Sequence, residues 1–441
     1  MIVPCARLIL WVAIVVLPAA ALGGVLPALY STALAFIALF LVVTAIDAAL
    51  GFGGLKGIEV LLPPVVRLNK DRPADLEIRI KNETQRPRGI RLGLPLPREF
   101  AASQEDTQVH LPAQALWSRL SWPCTPLRRG NFRLNTCHLE TCSPLGFWAV
   151  RTVATVQSEL RVYPNLRRER NSAAALFLNR GAFGIHLQRQ VGKARDFEQL
   201  REYLPGDGYE DIHWKATAKR GHPVTKIFQL ERTQEVYVVI DASRLSARLA
   251  PDGSTLLERF ISAGLVLGLA AGQQGDLFGL ITFNDRIAQF VRAKTGQSHY
   301  NTCRDAIYAL QPRLVTPDFD ELATFVRLRL RRRALLIFLT SLDDPVLAES
   351  FVRAVDLIRR QHVIVVNMMQ VPEIVPMFSG APVVSLDDIY RHLGGHILWN
   401  TLRGLEKTLQ RRGVRFSLLQ DERLSAQLIT QYLTVKRRQL L

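Results

Sequence analysis

The chain has 441 residues, room for two or three domains, and carries 56 Lys and Arg against 39 Asp and Glu, a formal net charge of +17. Such an excess suits anionic lipid, an acidic protein partner or nucleic acid, and charge alone does not choose among them. The five cysteines (Cys5, Cys124, Cys137, Cys142 and Cys303) form no CxxC pair and have no histidine at finger spacing. That argues against a zinc finger and a disulfide framework, and for reduced thiols.

No charged residue lies between Arg7 and Asp47. One helix needs ~20 apolar residues to cross a bilayer, so Leu8–Ile46 has room for two. Gly23, Gly24 and Pro27 interrupt the run near its middle, and the expected architecture is a transmembrane helical hairpin within residues 1–50, with helices at about 8–23 and 27–46. Pro18–Ala21 has the look of a signal-peptidase region, but a second apolar run directly behind it argues against simple secretion. Arg7 precedes the hairpin, Lys56, Arg67, Lys70 and Arg72 follow it, and the turn is uncharged. The positive-inside bias therefore predicts both ends, and the soluble domains, in the cytoplasm.

Gly51, Gly53, Gly54 and Gly57 read as a flexible exit from the membrane. Residues 58–165 show period two, as in Asp75–Lys81, Ile90–Leu96, Asn131–Leu139 and Ser158–Tyr163, with Pro and Gly between the runs. A small antiparallel β-sandwich is predicted, with Trp117, Trp122, Phe132 and Trp148 in its core. Residues 166–234 read as a connecting segment, polar and basic at its start.

From residue 235 to 441 the pattern changes to buried strands alternating with amphipathic helices. Strands are predicted at Val236–Asp241, Leu277–Phe283, Ala334–Thr340, Val363–Met369 and Val414–Leu419, with an edge hairpin strand at Ile287–Val291. Helices are expected at Thr255–Ala271, Tyr300–Leu310, Asp344–Arg360, Leu402–Arg412 and Leu424–Leu433. Continuous Val/Ile runs between helices imply an α/β doubly wound parallel sheet covered on both faces. One antiparallel edge strand makes this von Willebrand factor A-like.

Within the connecting segment, Arg201–Arg220 (REYLPGDGYEDIHWKATAKR) is a dense polar and aromatic block. Its spacing Arg201-x-Tyr203-x-x-Gly206-Asp207, then Ile212-x-Trp214, then Ala218-Lys219-Arg220 resembles the bacterial domain-of-unknown-function family fifty-eight. Thr125–Phe132 and Ser143–Phe147 resemble the turns that close that family's sandwich, whereas Glu210 stands where the family commonly has arginine. The resemblance covers essentially the whole chain. It implies a membrane-bound partner of a MoxR-type AAA+ ATPase in an assembly or chaperone system, placed at the bacterial inner membrane and without established enzymatic activity.

The resemblance to A-like domains also implies a strand-end cation site of Asp-x-Ser-x-Ser, a loop threonine and an acid after the fourth strand. Here Asp241-Ala242-Ser243 starts the motif, Leu245 replaces the second serine, Ser341 replaces the acid, and Thr302 is the candidate loop threonine. Mg²⁺ sheds water reluctantly and is usually held through one or two carboxylates, so the predicted site is degenerate, with Asp343 or Asp344 as possible substitutes. A metal-free docking surface at this strand end, near Asp241, is the preferred reading. Arg201, Tyr203, Gly206, Asp207, Trp214 and Arg220 are expected to bind a partner or brace the junction of sandwich and α/β domain. No nucleophile is paired with Glu210, Asp211 or His213, and no P-loop, HExxH or GxSxG occurs, so no catalytic residues are assigned. Two alternatives compete: a Mg²⁺-dependent receptor or enzyme using Asp241, Ser243 and Thr302, and a nucleic-acid binder using Arg327–Arg333. The expected partners are the AAA+ ATPase or its client and anionic lipid, in preference to nucleic acid.

Overall fold

The computed structural model describes residues 1–26, 29–102, 104–167, 191–204, 208–209, 212–229, 234–250, 252–370, 374, 376, 385–420 and 423–437. The chain divides into two compact units, Met1–Asn165 and Leu166–Leu441.

In the first unit a short strand β1 (Ile2–Pro4) leads into two apolar helices, α1 (Ala6–Val25) and α2 (Tyr30–Gly51). Both are long and apolar enough to span a bilayer, and nearly all their side chains face outward. Within α1, Val12–Val16 forms a π turn just ahead of Pro18. A proline there lacks the amide hydrogen and crowds the carbonyl one turn back, and the wider turn accommodates both. A third helix of comparable hydropathy, Leu256–Gln273, is two-thirds buried and belongs to the second unit's core.

Ten strands complete the unit: β1, then β2 (Ile58–Leu61), β3 (Val65–Asn69), β4 (Ala74–Asn82), β5 (Arg88–Gly93), β6 (Phe100–Ala102), β7 (Asp106–Leu111), β8 (Trp117–Pro126), β9 (Gly130–Cys142) and β10 (Trp148–Tyr163). One sheet runs β1-β10-β9-β5-β7, with β3 added in parallel to β10, and the other runs β2-β4-β8-β6. Alternation places Leu76, Ile78 and Ile80 of β4 inward, against Leu92, Leu139 and Leu160 of the facing sheet. Of the aromatic residues predicted for this core, Trp122 is 1 % exposed, but Trp117 is half-exposed. Trp148 begins β10, where its indole donates to the Thr44 carbonyl of α2 (2.9 Å).

That indole is one part of a hydrogen-bonded clamp. Asp47, near the end of α2, is fully buried and accepts from the Ser143 hydroxyl (2.5 Å), Leu145 N–H (2.9 Å) and Phe147 N–H (3.3 Å). Ser143–Phe147 is the turn between β9 and β10, and Phe40 packs on Phe147 with ring centroids 6.1 Å apart. The glycine run after α2 is likewise docked, which corrects the expectation of a flexible linker. A methyl group at Gly51 would stand 3.1 Å from Ser143 Cβ, one at Gly54 3.0 Å from Thr141 Cγ2, and Arg88 donates to the Gly54 carbonyl. Glycine is used here for close approach.

In the second unit β11 (Val191–Glu202) and β12 (Val224–Gln229) form a two-stranded antiparallel sheet flanking helix α3 (Trp214–Arg220). Most of the predicted connection at 166–192 lies outside the described residues. The main sheet comprises β13 (Glu235–Asp241), β14 (Leu277–Phe283), β15 (Ile287–Lys294), β16 (Ala334–Leu339), β17 (Val363–Met369) and β18 (Arg415–Leu419). Its order is β15-β14-β13-β16-β17-β18, all parallel except the edge pair β14–β15. This is a von Willebrand factor A-like sheet architecture.

Six helices accompany the main sheet among the described residues: α4 (Leu256–Gln273), α5 (Gln297–Ile307), α6 (Phe319–Arg329), α7 (Pro345–Ile358), α8 (Leu386–Arg411) and α9 (Leu424–Arg437). Side chains Val236, Val238 and Ile240 of β13 pack with α4 and α9, and Tyr237 and Val239 with α6 and α7. Four of these helix starts are capped by side chains: Thr255 for α4, Asp318 for α6, Asp344 for α7, and a Ser385/Asp388 capping box for α8. All five cysteines are free thiols, and burial raises those of Cys124 to about 11 and of Cys137 and Cys303 to about 12.

The clamp makes a stability prediction. Asp47→Ala strands one buried and two partly buried donors, and a buried donor left without its acceptor costs about 1–3 kcal/mol. The expected outcome is destabilisation on the order of 3 kcal/mol in denaturation of the detergent-solubilised chain, followed by tryptophan fluorescence. Asp47→Asn, which keeps one acceptor oxygen, should recover part of it.

Candidate functional site

The carboxyl end of β13 is the first candidate. Asp241 is 0 % exposed, which corrects the expectation that its carboxylate lies on an accessible rim. One oxygen accepts from Ser243 N–H (2.8 Å) and the other from the Thr340 hydroxyl (2.7 Å). Burial pushes this carboxyl above the usual carboxylate range, against the lowering effect of those hydrogen bonds. Ser243 and Thr340 are also fully buried, and Ser341 nearly so. Thr282 of β14 and Asn367 of β17 add buried polar side chains without a hydrogen-bond partner among the described residues.

These groups do not fit a Mg²⁺ site. Leu245, in the second serine's place, packs into the apolar core beside Phe283 and Phe319. The Ser246 hydroxyl turns back to the Ser243 carbonyl (2.8 Å). Asp343 pairs with Arg248 through Oδ2, and Asp344 caps α7 through Val346 N–H (2.9 Å), so each substitute acid already has a structural partner. Thr302 is a further correction. It lies exposed on α5, its hydroxyl bonded to the Ser298 carbonyl one turn back (3.1 Å). The segment that comes beside β13 is instead 313–318: Arg313 N–H bonds the Ala242 carbonyl (2.8 Å) and Arg244 N–H bonds the Val315 carbonyl (3.0 Å). Thr316 is therefore the threonine that this topology brings to the strand end. The sequence signal for it is Thr316-Pro317-Asp318, which leads straight into the Asp318 cap of α6. Among the described residues, no group of three or more His, Cys, Asp and Glu is placed to hold a metal.

The Arg201–Arg220 block is the second candidate. Arg201 and Glu202 end β11, paired with Thr225 and Val224 of β12. Ile212 is buried and bridges to Thr225, and His213 N–H bonds the Val224 carbonyl (2.8 Å). The His213 ring is committed to structure as well: its Nδ1 accepts from Ala216 N–H (3.0 Å) and caps α3. Because α3 begins at Trp214, Ile212 and Trp214 part company, one facing inward and the other outward. Trp214 is 67 % exposed, Tyr209 78 % and Leu204 55 %, and the Tyr203 and Tyr209 rings lie 6.3 Å apart. Arg220 is exposed at the end of α3, before the left-handed Gly221 (φ 74°). Gly206, Asp207, Glu210 and Asp211 lie outside the described residues.

A third feature, which takes in part of the Arg327–Arg333 run offered by the sequence as a nucleic-acid contact, lies at the opposite, amino end of the sheet. Tyr237 and Phe290 stack at 6.2 Å and 16°, and Glu235, Arg292, Arg329, Arg331 and Arg332 complete a groove of about 410 Å³. A side chain at Gly279 would stand 2.4 Å from the Tyr237 ring, so the glycine lets that ring lie flat over β14. The Leu330–Arg331 corner is pinned by the Gln361 amide, which donates to both carbonyls at 3.0 Å. Beside it His362 is buried, with neither ring nitrogen hydrogen-bonded among the described residues. Burial, and secondarily Arg333, lower its pKa to about 4.

Two outcomes follow for stability. Asp241→Ala should cost about 1–3 kcal/mol by orphaning Ser243 N–H and the Thr340 hydroxyl, while Asp241→Asn should remain within roughly 1 kcal/mol at neutral pH, both read as denaturation midpoints. For His362, the unfolded residue titrates near 6.5, so stability is full above that pH and falls as pH drops towards 4, by up to roughly 3 kcal/mol. His362→Leu should flatten this slope in melting temperatures measured across that window.

Residues 199–375 match the family described as "Protein of unknown function DUF58". "Uncharacterized protein Rv1480" of Mycobacterium tuberculosis is 25 % identical over 168 residues, covering 37 % of this chain and 52 % of that protein. "Uncharacterized protein YeaD" of Bacillus subtilis is 23 % identical over 165 residues, 36 % of this chain and 40 % of that one. The chain thus spans about half the length, or less, of these relatives. Among solved structures, the SpRpn10 VWA domain has a TM-score of 0.29 at 11 % identity, covering 45 % of this chain and 95 % of that one. The hypothetical protein BatB from Bacteroides thetaiotaomicron has 0.29 at 14 %, covering 46 % and 99 %. At those scores neither adds to the strand order as ground for the fold. By the family match over residues 199–375, this chain contains a DUF58 domain.

Proposed function

We propose that the chain is a membrane-anchored protein-interaction module whose docking surface includes the Trp214 block, and whose partner is a MoxR-type AAA+ ATPase or its client. The observation that carries this reading is the outward placement of Leu204, Tyr209 and Trp214 within the DUF58 domain. Exposed aromatic side chains are costly in water and typical of the anchors that dominate interfaces. A rim of Lys215, Lys219 and Arg220 on the same helix would steer an acidic partner. The anchor reading rests on α1 and α2, with Lys56, Arg67, Lys70 and Arg72 favouring a cytoplasmic exit at the inner membrane. The buried state of Asp241 moves the proposed docking surface away from the strand's carboxyl end.

The test is binding of the full chain, in nanodiscs, to a MoxR-type ATPase from the same organism. Trp214→Ala should weaken binding about thirtyfold, the loss of an anchor worth ~2 kcal/mol, with an unchanged melting temperature. Equal affinity of the two chains would remove this block from the interface.

A further inference from the structure

The amino-end groove deserves a role of its own. Arg292 comes from the edge strand β15, Arg329 from the last turn of α6, and Arg331 and Arg332 from the corner leading into β16. Three separate elements thus bring four guanidinium groups to one opening. None of the four has a carboxylate within ion-pair distance among the described residues, whereas surface arginines elsewhere (Arg91, Arg151, Arg359 and Arg412) are paired. Glu235 supplies one negative charge against the four. The floor is apolar and rigid, because Phe290 is held between Tyr237 and Phe325 (5.2 Å, edge-on) and the Tyr237 hydroxyl accepts from Ala293 N–H. The corner carrying Arg331 cannot swing away while Gln361 holds both of its carbonyls.

We infer that this groove binds an acidic peptide segment of a partner protein, with an aromatic or leucine side chain against Phe290, which the buried Tyr237 backs, and flanking carboxylates on Arg292, Arg329, Arg331 and Arg332. Guanidinium forks match carboxylates in pairs, and the half-buried Phe290 ring receives the apolar side chain between them. A nucleic-acid backbone suits the groove less well, since Glu235 sits in its wall and would face an unbroken row of phosphates. A peptide can space its carboxylates around that point. The inference rests on the interaction-module reading and deepens it by naming the chemistry of a second surface, formed by different residues from the Trp214 block.

The experiment uses the full chain in uncharged nanodiscs and a fluorescein-labelled peptide of Asp and Glu with one central Phe. Saturable binding is expected, weakened at least tenfold by Arg331→Glu/Arg332→Glu and severalfold by Phe290→Ala. A control chain of equal charge change, Arg98→Glu/Arg128→Glu, should bind as the wild type does, which separates the groove from the general positive charge. Trp214→Ala should also leave peptide binding unchanged, so this assay can fail while the ATPase assay succeeds, and the reverse. No saturable binding, or equal loss in the control chain, overturns the proposal. So does displacement of the peptide by mixed-sequence DNA with a steep salt dependence, which would assign the groove to nucleic acid, or by anionic vesicles, which would assign it to the membrane surface.

Discussion

The second unit is organised by the complete burial of β13. The strand is hydrogen-bonded on both edges, to β14 and β16, and covered on both faces, so its interior side chains from Val236 to Ile240 are no more than 1 % exposed. Each such aliphatic residue contributes on the order of 1.5–3 kcal/mol of hydrophobic stabilisation. A strand held in this way fixes what its two ends can do. At the carboxyl end the chain needs a buried acceptor for Ser243 N–H and Thr340, and Asp241 supplies it. At the amino end the neighbouring β15 and the α6–β16 corner open outward, and the arginines gather there.

The two ends therefore divide along structural and recognition lines, opposite to the usual expectation for open α/β sheets, in which ligands gather at the carboxyl ends of the strands. The reason lies in a few side chains. Leu245 is a core side chain, and position 341 carries serine and no charge that could hold a cation. With those side chains in place, Asp241 serves as a hydrogen-bond hub. Asp343 and Asp344 are committed to Arg248 and to the start of α7.

Much of this fold is legible in sequence because its strands are continuous Val/Ile runs and its helices carry amphipathic stripes. Val236–Asp241, Leu277–Phe283 and Val363–Met369 coincide with observed strands to within one residue. Helix α8 starts sixteen residues before the predicted Leu402: Leu386, Ile389, Tyr390 and Leu393 stand at helical spacing behind the Ser385 box, but the Gly394-Gly395 pair that follows them reads locally as a break. The strand-end threonine was missed for a different reason. Choosing between Thr302 and Thr316 requires knowing which loop folds back on Ala242 and Arg244, and that is set by tertiary contact. Similarly, Asp47 reads locally as the charge that ends an apolar run, while its partner at Ser143 is 96 residues away. His213 looks like a chemical residue until its ring is seen capping α3.

The knot around Asp47 has a mechanical consequence. Helix α2, the glycine turn behind it and the β9–β10 corner share hydrogen bonds and van der Waals contacts with no slack segment between them. Once α1 and α2 are embedded in lipid, any tilt they adopt to match bilayer thickness swings the sandwich through the same angle. The first unit then acts as a lever with its fulcrum in the hydrocarbon, and the thickness of the surrounding membrane becomes a variable that sets the sandwich's orientation.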